Sequence, residues 1–234
     1  MALRMFGSLA RQALSTNPPW ALCARRGLVG HSMASPKYLS EITQVDKLEK
    51  ESPEQIRHIW TEFHADEKQM RTSSVLSPED YAKMSLNGAK SPLFVLPLLK
   101  ENHSETPGGN YLSVILQMQM PYVLMTPLAD YQALGDAAAP FFTLVHYNEL
   151  SAAKGLVLCR GDVMARGTGG ECLSIQEARK LMVMAHLYYT DPARYSTVHK
   201  MNHDQANFSF EALVKEVEND PILKLLNDEA LKLV

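Results

Sequence analysis

The apolar residues of this 234-residue chain change their spacing twice, and any fold it adopts has to accommodate both changes. Up to Asn87 and again after Ser174 they recur every three or four positions, the period of a helix with one buried face. Between these regions, from Pro92 onward, they come in short runs or in strict alternation, bounded by Pro, Gly and Asn, which is strand chemistry. The pattern predicts an α+β fold: a single domain with a mostly antiparallel sheet of about five strands packed by flanking helices. A chain of this length, 46% hydrophobic, can bury one ordinary core, and a second large domain is not expected.

Local start signals place the helices. Leu39, Ile42, Val45 and Leu48 recur at threes and predict a first helix. Ser52-Pro53-Glu54-Gln55 supplies an N-cap, a proline at the first helical position and a reciprocal glutamine. Ile56, Ile59, Trp60 and Phe63 then mark one face. Ser77-Pro78-Glu79-Asp80 repeats the signal, and Asn87-Gly88 is expected to close that helix. Ser174-Ile175-Gln176-Glu177 is a full capping box opening the strongest helix, along which Ala178, Leu181, Met182, Ala185, Tyr188 and Tyr189 form a stripe. Phe210, Leu213, Val214 and Val217 mark another helix, and Pro221 opens a short last one.

The strands are read from alternation and from where proline can be tolerated. Leu93 to Leu99 is nearly all apolar but contains Pro97, whose missing N–H suits a sheet edge or a bulge. Leu112, Val114, Leu116 and Met118 alternate onto one face, and Tyr122 to Thr126 returns after Pro121 as a hairpin. Phe141 to Tyr147 and Leu156 to Arg160 follow, joined by a link short enough to favour antiparallel pairing.

The N-terminus carries a different signal. Arg4, Arg11, Arg25 and Arg26 precede the first acid, Glu41; on a helical wheel Leu3, Phe6, Ala10, Ala13 and Leu14 oppose Arg4, Ser8, Arg11 and Ser15. A basic amphipathic helix of this kind is the form of a mitochondrial matrix-targeting peptide, expected over residues 1–28 with processing near Leu28. Residues 29–37 read as a flexible lead-in, 38–220 as the α+β domain and 221–234 as a C-terminal short helix. Without the four arginines the 23 basic residues fall to 19 against 26 acids, a formal charge of −7. That balance, with no cationic stripe, argues against nucleic acid as a partner. No apolar run approaches bilayer length, so no membrane insertion is expected.

Candidate chemistry is sparse. His199 and His203 have the i, i+4 spacing of a metal-binding pair, but no HExxH glutamate or third ligand accompanies them in a polar stretch, and solvated histidines are the default. Gly167-Thr168-Gly169-Gly170 lacks the lysine of a phosphate loop. Arg160-Gly161-Asp162 reads as a strand end and turn. Cys159 and His146 could form a thiol and its base if their strands were adjacent, yet a Cys between Leu158 and Arg160 is more often a core thiol. Cys23, Cys159 and Cys172 form no CxxC pair and are expected to be reduced. No catalytic residues, cofactor or metal are expected. Met118, Met120, Met125, Met182 and Met184 suit either core filling, the better expectation, or an adaptable surface. On the strongest helix, Val183, Met184 and Leu187 lie off the core-facing stripe, so this helix is apolar nearly all round.

Several motifs occur together in order: Ser52-Pro53-Glu54-Gln55-Ile56 before Ile59-Trp60, Leu93-Phe94-Val95-Leu96-Pro97, Thr126-Pro127-Leu128-Ala129-Asp130-Tyr131 with Gly135, Pro140 to Tyr147, Lys154-Gly155-Leu156-Val157-Leu158, and Phe208-Ser209-Phe210-Glu211. Over roughly residues 38 to 218 the series resembles the mitochondrial F(1)-ATPase assembly factor 1 family. The resemblance implies a mixed α/β fold and a matrix chaperone, not an enzyme, that binds the unassembled beta subunit of ATP synthase and yields it to the alpha subunit. The stretches Lys100 to Asn110 and Ala165 to Glu171 depart from the family's pattern. The rival readings are a thiol- or zinc-dependent matrix hydrolase and a structural subunit of a respiratory complex. Val183, Met184 and Leu187 are the expected partner-binding residues, with burial under a second helix, such as that containing Phe210, as the competing account.

Overall fold

The computed structural model describes residues 38–64, 67–100, 111–164 and 173–226. The segments expected as targeting peptide and lead-in, residues 101–110, the glycine-rich stretch from Ala165, Cys23, Cys172 and the chain beyond Leu226 lie outside the described residues.

The strands are β1 (Arg71–Leu76), β2 (Leu93–Leu99), β3 (Tyr111–Gln119), β4 (Tyr122–Pro127), β5 (Phe142–Tyr147) and β6 (Val157–Val163). They form one six-stranded sheet in the order β1-β6-β5-β4-β3-β2, with every neighbouring pair antiparallel. From β2 to β6 the chain simply meanders, as its short links require. The expected α+β class holds, with one strand more than the expected five. The addition is β1, whose sequence Arg-Thr-Ser-Ser-Val-Leu is too polar to announce a strand and which is held by its pairing with β6.

Pro97 explains why β2 is an edge. The Met118 N–H donates to the Pro92 carbonyl at 2.8 Å, a bond that flanks the Leu93–Gln117 pair. Leu93, Val95, Pro97 and Leu99 therefore turn their backbone groups away from β3, and Pro97 occupies a position whose N–H the ladder does not use. Farther along the same edge Asn202 satisfies Leu93, accepting from its N–H at 3.4 Å and donating to its carbonyl at 2.7 Å.

The helices are α1 (Val45–Leu48), α2 (Pro53–Phe63), α3 (Pro78–Lys90), α4 (Leu128–Leu134), α5 (Ser151–Lys154), α6 (Ile175–Thr190), α7 (Pro192–His203), α8 (Phe210–Asn219) and α9 (Pro221–Leu225). The Ser52, Ser77 and Ser174 hydroxyls accept from the backbone N–H of Gln55, Asp80 and Glu177 at 3.2, 3.0 and 3.2 Å. Each such cap contributes about 1 kcal/mol.

Four local expectations are corrected. The first helix is a 3-10 turn at Leu39–Glu41 followed by the four-residue α1, because Leu39 and Leu48 are each drawn into the core from an otherwise exposed segment. Asn87-Gly88 does not end α3, which continues to Lys90; Gly88 is there for contact, since a Cβ would stand 2.9 Å from Met118 Cε. The polar stretch after Asp191 contains α7, begun by Asp191 accepting from the N–H groups of Ala193 and Arg194 ahead of Pro192 at the first position. Arg160-Gly161-Asp162 lies within β6 and is no turn; a Cβ on Gly161 would stand 2.7 Å from Phe142 Cζ, so only glycine lets that ring lie across the strand.

Register sorts the sheet into two faces. Phe94, Leu96, Val114, Leu116, Met125, Phe142 and Leu144 share one face with α3 and α6 over it, and with Met118, Met182 and Met184 they belong to the larger core. These methionines fill the core. On the opposite face Val145, Tyr147 and Leu158 meet Ile56 and Trp60 of α2, together with Leu39 and Leu48. Only half of the apolar stripe of α2 is used: Ile59 and Phe63 remain 37% and 58% exposed.

Candidate functional site

The row Ser74, Cys159, His146 runs across β1, β6 and β5, each residue directly opposite the next, so the three side chains leave the same side of the sheet. The capped helix α6 crosses over that side and lowers His186 onto it, with His186 Nε2 3.3 Å from His146 Nε2. The donor atoms of His146, Cys159 and His186 all lie within 4.8 Å of one another. His146 Nδ1 is 3.0 Å from the Pro121 carbonyl, which can only accept, so Nδ1 carries the hydrogen and Nε2 presents its lone pair to His186.

Burial governs the electrostatics. Cys159 is 0% exposed, and desolvation pushes its thiol up to about 12, against a weaker opposing pull from the Ser74 hydroxyl. The Ser74 Oγ is itself buried without a partner of good hydrogen-bond geometry. Desolvation lowers His146 to about 4 and His186 to about 3, the latter also feeling His146. The juxtaposition of Cys159 with His146 that sequence order permits is therefore real, but burial opposes the thiolate, the reverse of what activates a thiol nucleophile. His186 escaped sequence analysis because it is 40 residues from His146 and sits on a helix; its place inside an apolar run of α6 was the only signal.

His199 and His203 are neighbours on α7, ring centroids 4.5 Å apart. His203 Nε2 donates to the Lys90 carbonyl at 3.0 Å, joining the end of α7 to the end of α3. The imidazole is thus a helix tie.

The expected partner-binding residues are divided by the fold. Met184 is 2% exposed, with Val217 of α8 and Leu223 of α9 beside it, while Val183 and Leu187 are half-buried. The Tyr188 hydroxyl anchors α8 by donating to Glu216 at 2.9 Å. Met184, with Pro97, Leu99, Val217 and Leu223, lines a groove of about 110 Å³ at the open edge of β2, whose rim carries Lys100, Lys180, Glu218 and Lys224.

A third buried histidine, His64, lies edge-on to Trp60 at 4.4 Å; burial first, then Arg160 and Arg71, lower it to about 4, with Asp162 opposing. All three histidines refuse protons that the unfolded chain accepts near pH 6.5. The folded pKa values are depressed, so stability is full above pH 6.5 and is lost as pH falls toward 4. Urea titrations at pH 7.5, 6.5, 5.5 and 5.0 should show a steadily falling midpoint, with less fall in His64→Leu. A midpoint constant across that range would contradict the assignment.

The profile of the ATP11 protein family matches residues 24–214. The chain is 25% identical over 193 residues to "ATP synthase mitochondrial F1 complex assembly factor 1" of Mus musculus, covering 81% of this chain and 55% of that protein. Against the protein of the same name from Homo sapiens it is again 25% identical over 193 residues, covering 81% and 54%. "Protein atp11, mitochondrial" of Schizosaccharomyces pombe is 26% identical over 150 residues, covering 61% and 50%. The chain spans about half the length of these curated relatives. The family profile runs from before the first described residue into α8 and takes in the whole sheet together with α6 and α7; on that match the chain belongs to the ATP11 family.

Proposed function

We propose that this chain is an assembly factor for the F1 part of mitochondrial ATP synthase, acting in the matrix as a chaperone and not as an enzyme. It binds the unassembled beta subunit, keeps it from aggregating and releases it to the alpha subunit. The observation that carries this reading is the alignment, over 81% of the chain, with two mammalian proteins named F1 complex assembly factor 1. The beta subunit as client is what the motif series in the sequence implies. The basic amphipathic N-terminus supports a matrix location, and the buried, protonated Cys159 speaks against a thiol hydrolase.

The contact reading centres on α6 and the groove beside it. A transient chaperone surface needs an apolar centre and a polar rim, and the groove at the β2 edge has both. Val183 and Leu187 keep part of their surface, and Met184 forms the groove wall. Pro97 and Asn202 leave little of the β2 edge able to bond a further strand, so side chains entering the groove suit the site better than an added strand.

Light scattering of isolated beta subunit, warmed with and without an equimolar amount of this chain, tests the proposal. Scattering should fall strongly with the chain present and should not fall for an unrelated aggregating protein. Val183→Glu with Leu187→Glu should remain folded and lose the protection. Unchanged scattering with the native chain would end the chaperone reading, whereas undiminished protection by the folded double variant would move the contact away from α6.

A further inference from the structure

We propose that His146, Cys159 and His186 form a buried three-coordinate site for a monovalent copper ion that clamps α6 onto the centre of the sheet. This inference is independent of the assembly-factor reading. It begins with geometry. Two imidazole nitrogens that share one cation at about 2.0–2.1 Å, with an angle between the tetrahedral and trigonal values, stand about 3.3–3.6 Å apart. The Nε2 atoms of His146 and His186 are 3.3 Å apart, and the Cys159 sulfur lies within the same 4.8 Å cluster. The two nitrogens already stand at the separation a shared cation requires, and the Cys159 sulfur lies close enough to complete the set as the side chains close on the ion.

The surroundings have the form of an outer shell. The Pro121 carbonyl accepts from His146 Nδ1, which fixes the tautomer that leaves Nε2 free to ligate; metal-bound histidines are held in this way. Ser74, opposite Cys159 in the cross-strand row, contributes a buried hydroxyl beside the Cys159 sulfur, with no partner of good hydrogen-bond geometry among the described residues. Without metal, His186 Nε2–H donates to His146 Nε2. With metal, the His186 hydrogen moves to Nδ1 and both Nε2 lone pairs face the ion.

Charge selects the metal. On binding, the Cys159 S–H bond breaks, a sulfur–copper bond forms, and the proton leaves to solvent; no electron is transferred. One thiolate and one monovalent cation then sum to zero, which suits a site this far from water, whereas a divalent ion would leave a buried positive charge. Two imidazole nitrogens and a thiolate sulfur, with no carboxylate in the cluster among the described residues, make a donor set soft enough for copper in its lower oxidation state. Because the three ligands are buried, loading accompanies folding, and the metal stabilises the packing of α6 on β5 and β6.

The test uses the full chain with Cys23→Ser and Cys172→Ser, which leaves Cys159 as the sole thiol among the three cysteines. It is refolded without oxygen in the presence of Cu⁺ delivered from a weak competing chelator, and retained metal, X-ray absorption and melting temperature are measured. About one equivalent should be retained, with a first shell of one sulfur and two imidazole nitrogens and a raised melting temperature. His186→Gln should weaken retention by at least the roughly 100-fold that losing even an outer-shell partner can reach. Its amide can still donate to His146 Nε2, so folding should persist. If this variant does not fold, the absorption spectrum of the chain with all three ligands decides alone. Failure to retain copper, a copper shell without sulfur, or stronger retention of Zn²⁺ than of Cu⁺ would overturn the assignment.

Discussion

Trp60→Ala should destabilise the protein by about 3–5 kcal/mol, the range for removing a large aromatic side chain from a core. The residue is 3% exposed and is the largest side chain in the smaller core, where it meets Ile56, Leu48 and Leu158. Its rings pack edge-on against His64 at 4.4 Å and Tyr147 at 6.1 Å, and its indole Nε1 donates to the Cys159 carbonyl at 3.0 Å. Alanine would leave a cavity between α2 and the sheet and take a donor from that carbonyl. Trp60→Phe keeps most of the volume and loses the hydrogen bond, so it should cost nearer about 1–2 kcal/mol. Urea denaturation of both variants separates the packing from the hydrogen bond; an Ala variant within about 0.5 kcal/mol of the native protein, the scale of a surface change, would show that α2 is not part of the cooperative fold.

Asp220→Ala should cost about 3 kcal/mol, through a different mechanism. Asp220 is 6% exposed and begins α9 with Oδ1, accepting from the N–H groups of Ile222 and Leu223 at 2.8 and 3.2 Å. Oδ2 accepts from Arg194 Nη2 at 2.6 Å and from its Nε at 3.2 Å, joining α7 to the start of α9. Burial alone would raise this carboxyl; the Arg194 hydrogen bonds and the two backbone donors outweigh it and hold the group below the ordinary aspartate range. Losing the cap costs about 1 kcal/mol, and stranding a guanidinium that is mostly out of water adds about 2 kcal/mol, short of a fully buried pair because Arg194 keeps some exposure and Asp191 beside it. Asp220→Asn, which keeps an oxygen for the cap but loses the charge, should fall between. A calorimetric melting temperature equal to the native value for Asp220→Ala would show that α9 is not docked in solution.

Much of the fold is legible because its signals are local. A serine hydroxyl three residues before an N–H that needs a partner starts a helix wherever the tertiary structure places it, and the caps at Ser52, Ser77 and Ser174 each did so, the last as a full capping box. Alternation in β3 and the position of Pro97 are local too, since they concern which backbone and side-chain groups can be paired at all. β1 and α7 escaped for the complementary reason. β1 is polar and exists because β6 offers it a ladder. α7 buries only Val198 and Met201, the latter against Val95 over a hundred residues earlier in the chain, too few apolar positions to show a period.

The sequence by itself therefore determined the class of fold, the hairpin of β3 and β4 and the antiparallel sense of the strands around it, the capped helices and the family motifs, because each depends on chemistry within a few residues. The tertiary structure alone decided which side chains meet. It turned Met184 toward Val217 and Leu223 while leaving Val183 and Leu187 partly open, a distinction among three neighbours on one apolar helix that no periodicity contains. It also brought His186 onto His146 and Cys159, since strand register and the docking of α6 set the distances between residues far apart in the chain.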